Sequence, residues 1–174
     1  MTGQKESGKR EAALGFKRSQ LLYDIKNLGF IEGDVLEPEQ YHTRQRIQDI
    51  GERGNVDRVT RIMDLSVAHC TEKLYPFTRR EIRRAPTVID DRLREDKIYW
   101  IVLRVAADFS ETTLIYLEKL IHEFIVSRVL YDWLSITNPS KREIWREKME
   151  ELEAEIMKSL KKRQGRVRRG LHPF

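Results

Sequence analysis

Two long segments of helical periodicity, joined by Asn138-Pro139, constrain this chain more than any other feature. The first opens at Ser110, a residue type favoured at helix N-caps, and carries Leu114, Leu117, Ile121, Phe124, Ile125, Val129, Trp133 and Leu134 mostly at steps of three and four. It predicts a helix over 111–136, roughly 38 Å long at 1.5 Å per residue. Proline is tolerated in the first turn of a helix but not in its interior, so Pro139 ends one helix and begins another. The second segment shows Ile144, Trp145, Met149, Leu152, Ile156 and Leu160, with acids early and lysines late, an order that suits the helix dipole. A link this short returns the second helix along the first, and the antiparallel hairpin becomes the centre of the core.

The rest of the chain is arranged around that hairpin. Residues 98–105, Ile-Tyr-Trp-Ile-Val-Leu-Arg-Val, are rich in β-branched and aromatic side chains and read as a strand. Its partner is not evident; residues 87–89 or a neighbouring subunit are the candidates. Val56, Val59, Ile62, Met63, Val67, Cys70 and Leu74 predict a helix from an N-cap at Asn55 to Pro76, and Thr78 with Glu81 predicts one further short turn. Leu21, Leu22, Ile25 and Leu28 form a helical face that ends at Gly29, and residues 40–50 hold a short helix within a glycine-broken connector. The fold class is mainly α, a helical bundle with a long C-terminal helical hairpin and a minor β element. It divides into a polar N-terminal arm (1–18), a helical domain (19–160) and a basic docking tail (161–174).

Several function classes fall away. The single cysteine, Cys70, leaves no internal disulfide framework and fits a reducing compartment. No secretory signal opens the sequence, and the most apolar stretch, 114–136, is interrupted by Glu118, Lys119, Glu123, Arg128 and Asp132, so no membrane span is expected. His122-Glu123 lacks the second histidine that a zinc-binding His-Glu-x-x-His helix requires, because position 126 is valine. His69 and Cys70 are adjacent and diverge on a helix, and Asp90-Asp91 alternates with Arg92 and Arg94 as a solvated turn does. Gly51 and Gly54 precede a helix, but no phosphate-loop pattern surrounds them. No catalytic residue, metal ligand or cofactor is expected, and the chain reads as something other than an enzyme.

What remains is charge. The chain holds 33 basic and 28 acidic residues; Lys161, Lys162, Arg163, Arg166, Arg168 and Arg169 lie together without an acid, and without them the balance is 27 to 28. A peptide of this composition has too little apolar surface to offset its ordering entropy, about 1–2 kcal/mol per residue for the backbone. It also ends in Leu171-His172-Pro173-Phe174, an apolar tip on a cationic stem, which suits a groove on an acidic partner better than bare phosphates. Arg166, Arg168, Arg169, Leu171 and Phe174 are therefore the expected partner-docking residues. Arg79, Arg80, Arg83 and Arg84, with Lys161, Lys162 and Arg163, are candidates for contacts to DNA or to an acidic partner.

The order of strand, long amphipathic helix, Asn138-Pro139 break, second helix and basic end, Arg168-Arg169-Gly170-Leu171-His172-Pro173-Phe174, resembles the head–tail connector proteins (adaptor or ring proteins) of tailed bacteriophages over the C-terminal half of the chain. The resemblance implies a virion subunit, made in the host cytoplasm, that forms a homo-oligomeric ring. It implies a terminal arm reaching the portal or a neighbouring ring, a basic surface toward the DNA channel, and no catalytic residues. The alternative is a nucleic-acid-binding accessory or regulatory protein that sets its basic runs on phosphates; against it stand a body that is not basic and the lack of a base-reading helix. A partner-folding module of the toxin–antitoxin kind is a third reading.

Overall fold

The computed structural model describes residues 8–78, 94 and 96–161. The chain is mainly helical with a small two-stranded sheet: β1 (Lys9–Lys17), α1 (Arg18–Asp34), α2 (Tyr41–Gln48), α3 (Val56–Lys73), the single turn α4 (Tyr75–Thr78), β2 (Ile98–Ala106), α5 (Glu111–Thr137) and α6 (Pro139–Lys161). Three short 3₁₀ turns, at Pro38–Gln40, Asp49–Gly51 and Arg53–Asn55, carry the chain from α1 to α3.

The hairpin forms as its sequence dictates. α5 is the central element, and Leu117, Ile121, Ile125, Val126, Val129, Leu130 and Leu134 have no exposed surface. A helix apolar on more than one side has to be covered on more than one side, and α1, α3, α6 and β1 supply that cover. The Asn138 backbone N–H closes α5 on the Leu134 carbonyl at 2.9 Å, and the Ser140 hydroxyl donates to the Asn138 side-chain oxygen at 2.6 Å. Lys148 reaches Glu123 at 3.6 Å across the hairpin. On α6 the buried line is Trp145, Met149, Ile156 and Leu160, with Leu152 partly covered. Ile144 was expected on that line and is instead exposed, since it sits one residue, about 100° of helix, away from it.

The strand at 98–106 finds its partner at the other end of the sequence. β1 pairs with it antiparallel, from Lys9 opposite Ala106 to Lys17 opposite Ile98. Residues 87–89 lie outside the described residues, and the polar arm expected over 1–18 is corrected for 9–18. Within this basic stretch Leu14 and Phe16 alternate with outward residues and pack into the core below Tyr99, Ile101, Leu103 and Val105. Charged flanks conceal the alternation. The Arg18 backbone N–H then donates to the Lys97 carbonyl at 2.9 Å, fastening the start of α1 to the start of β2.

Two glycines expected to break the chain have another use. α1 does not stop at Gly29 but runs on through Gly33 to Asp34. A Cβ on Gly29 would lie 2.5 Å from Ile50 Cγ2, and one on Gly33 would lie 2.7 Å from Gln48 Cγ. One turn apart on α1, the pair lets the end of α2 approach the α1 backbone closely. The helices expected over 40–50 and from Asn55 to Pro76 form with small changes, and the turn expected to begin at Thr78 and Glu81 lies, beyond Thr78, outside the described residues. α3 buries Val59, Ile62, Met63 and Cys70, while the Asn55 side chain donates to the Asp49 carbonyl at 2.8 Å instead of capping the helix. No helix among the described residues is long and apolar enough to cross a membrane.

Candidate docking surface

The residues expected to dock, Arg166, Arg168, Arg169, Leu171 and Phe174, lie outside the described residues, as do Lys162, Arg163, Arg79, Arg80, Arg83 and Arg84. Lys161 is the last residue of α6 and is exposed. The body carries the complementary information.

At the far end of α6 from Lys161, the last turns of α1 and the start of α2 make an apolar corner. Phe30 is 56% and Val35 65% exposed, and Ile31 and Tyr41 are exposed beside them. Lys141, in the first turn of α6, donates to the Glu32 carbonyl and pairs with its carboxylate at 2.9 Å. That contact brings the turn between α5 and α6, with exposed Ile136 and Ile144, to the same end of the molecule. The corner is held rigidly. Trp133 Nε1–H donates to the Ile47 carbonyl at 3.0 Å, Gln48 Nε2 to the Phe30 carbonyl at 3.3 Å, and Arg44 pairs with Asp34. From Asn27 to Thr43 the sequence holds Glu32, Asp34, Glu37 and Glu39 but no lysine or arginine. Glu32 and Asp34 are spoken for; Glu37 and Glu39 are exposed and have no ion pair among the described residues. Apolar side chains held on rigid elements and rimmed by like charge are the mark of an interaction surface.

The outer face of the sheet is a second exposed apolar surface. Trp100 is 61% exposed and lies across Gly15, where an added Cβ would sit 2.8 Å from the indole. Ile98 and Val102 flank it, and the Glu11–Arg104 pair at 3.5 Å borders the patch. Among the described residues neither strand has a second neighbour. A two-stranded sheet is marginal alone, and an open edge is a template for another strand.

Three clusters of titratable groups are closed in on themselves. The Arg18 guanidinium is fully buried: Nε–H donates to Tyr99 Oη at 2.9 Å, and its two Nη groups donate to the Arg94 carbonyl at 3.0 Å and to Asp64 Oδ1 at 3.2 Å. Tyr99 O–H donates to the same Asp64 oxygen at 2.6 Å, and burial together with that carboxylate pushes the phenol well above its ordinary pKa. His122 pairs with Asp24 at 2.7 Å between α5 and α1. On α3, the Lys73 ammonium pairs with Glu153 of α6 at 2.7 Å; this hydrogen bond holds the Glu153 carboxyl below its usual range and raises Lys73. The dent beside this pair, floored by Ile121, Phe124 and Cys70, encloses only about 20 Å³. That is room for one water, far below the hundreds of Å³ a small-molecule site needs. Among the described residues no three His, Cys, Asp or Glu side chains converge as metal ligands do.

Cys70 illustrates the closure. Burial, with Glu153 nearby, pushes its thiol up to about 12, so the thiolate that reacts is scarcely formed. The folded protein should resist a thiol reagent at mildly alkaline pH and label only on unfolding. Stoichiometric labelling of the native protein would show that α3 and α6 separate readily.

The acidic apolar corner was not foreseen from the sequence, where 29–54 reads as a connector. The absence of any lysine or arginine between Asn27 and Thr43 was the available signal. No protein-family model matches the chain, and no curated protein or solved structure matches it either.

Proposed function

We propose that the chain is a non-enzymatic structural subunit of a virion, a head–tail connector or ring protein of a tailed phage. In this reading it forms a homo-oligomeric ring and docks by residues 161–174 onto the portal or a neighbouring ring. The observation that carries the proposal is the display of large apolar side chains, Phe30, Val35 and Trp100, on rigid elements of a body whose core is already filled without them. A monomer gains nothing by keeping such residues in water; a subunit buries them against its neighbours. The α5–α6 hairpin is the stiff member, and Lys161, with which the basic segment of the sequence begins, is its last described residue. The phage assignment itself rests on the resemblance of the C-terminal half.

Deletion of residues 161–174 tests the reading. Leu160, the last buried residue of α6, is retained, so circular dichroism and melting temperature should be unchanged while sedimentation shows the oligomer lost. Assembly of the truncated chain at the same concentration as the full chain would sink the docking role. If the truncation instead removes a salt-sensitive affinity for duplex DNA and leaves the oligomer intact, the nucleic-acid-binding reading takes its place.

A further inference from the structure

We infer that residues 162–174 of one copy dock on the acidic apolar corner of a second copy, the surface formed by Phe30, Ile31, Val35 and Tyr41 with Glu37 and Glu39. The inference rests on the assembly reading above and names the receiving surface within it.

Charge supports it first. Residues 161–174 carry six cationic side chains and no acid, and residues 27–43 carry four acids and no lysine or arginine. Each is a local excess of one sign, and complementary fields of this kind steer association and suppress wrong partners. Chemistry supports it next. The segment combines its arginines with Val167, Leu171 and Phe174, and the corner combines its carboxylates with exposed aromatic and branched side chains. An apolar anchor in an apolar seat, rimmed by charge pairs, is the usual energetic layout of an interface.

Geometry makes the second copy the host. The corner is tied to the first turn of α6 through Lys141 and Glu32, whereas the basic segment leaves from the last residue of α6. Lys141 and Lys161 lie twenty residues apart on α6, about 30 Å along the helix. For Leu171 to reach the corner of its own copy, the ten residues after Lys161 would have to span that length almost fully extended, about 35 Å. Such a taut path gives up nearly all its conformational freedom for few contacts. On a neighbouring copy the same segment has no such distance to recover. Because donor and receiver lie at opposite ends, the contact is head-to-tail, the class of interface that closes into a ring when the rotation permits.

The test uses the full chain in two variants that each add one cysteine, Val35→Cys and Leu171→Cys, mixed under mild oxidation; native Cys70 is buried and does not compete. Docking raises the effective concentration of the paired thiols, so the mixed disulfide dimer should exceed that from Leu65→Cys mixed with Leu171→Cys by about tenfold or more. Glu37→Arg with Glu39→Arg should abolish the excess, and adding Arg168→Glu with Arg169→Glu should restore part of it. If a chain carrying both Val35→Cys and Leu171→Cys closes an internal disulfide at high dilution and the mixture gives no dimer, the segment is a clasp on its own body and the inference is overturned. If neither link forms while the oligomer still depends on 161–174, the corner is not the receiver but the assembly reading stands. If neither link forms and the full chain stays monomeric, both fall together.

Discussion

Replacing Arg18 by methionine should lower the unfolding free energy by about 3–5 kcal/mol, the usual loss when one partner of a buried ionic network is removed. The guanidinium has no exposed surface, and three of its donor groups are directed at three different acceptors, Tyr99 Oη, the Arg94 carbonyl and Asp64 Oδ1. Those acceptors belong to separate stretches of chain that meet where β1 passes into α1. Methionine keeps the length and the apolar packing but donates to none of them. Tyr99 still donates to Asp64, so part of the network survives, and the loss should fall toward the lower end of the range. Lysine is the informative second variant. It retains the charge, but a compact ammonium cannot reproduce the rigid fork, and its loss should lie between that of methionine and zero. Urea denaturation followed by far-ultraviolet circular dichroism gives all three values. A loss below about 1 kcal/mol for Arg18→Met would place the network with ordinary surface ion pairs and make the sheet–helix junction a hydrophobic one.

Arg18 also shows where reading the sequence runs out. It follows four other basic residues in the first eighteen, and nothing local separates it from Lys17, which is exposed. Its burial is decided by Asp64 and Tyr99, 46 and 81 positions away, and single-residue chemistry carries no record of such a meeting. The hairpin is the opposite case. Period, capping residue type and the proline break all lie within one stretch of sequence, and each states the same answer, so both ends of α5 and the start of α6 were legible to within a residue. β1 lies between the two. Leu14 and Phe16 do alternate, but two inward large side chains among lysines, arginines and alanines are too few to outweigh the polarity around them. Of the docking surface, the charged segment was plain from composition. The corner proposed to receive it was not, because Phe30, Ile31 and Val35 are separated from Tyr41 by a turn, and that all four stay exposed shows only once α2 has folded back on α1.

The fold-back itself depends on Gly29, where alanine should cost about 1–3 kcal/mol although alanine is the better helix former. Two effects oppose one another. In the interior of a helix the change from glycine to alanine gains up to about 1 kcal/mol from reduced backbone entropy. Against it, the new methyl would lie 2.5 Å from Ile50 Cγ2, well inside van der Waals contact. Ile50 cannot swing away, because it is 2% exposed and its β-branched side chain has one strongly preferred rotamer. The backbone must therefore yield, and the turn at Asp49–Gly51 with the end of α2 would move off α1. The steric term exceeds the propensity gain, so the sign is destabilising. A double-mutant cycle isolates the cause. Ile50→Ala alone should cost about 2–4 kcal/mol through the cavity it leaves. Combined with Gly29→Ala it should cost less than the sum, by about 1 kcal/mol or more, because the added methyl fills part of that cavity. Strict additivity would show that α1 and the Asp49–Gly51 turn do not press on one another. The same variants bear on docking, since Phe30, Ile31 and Val35 lie on the turns of α1 that this contact holds in place. Gly29→Ala should weaken the head-to-tail contact even though it alters no residue of the exposed corner.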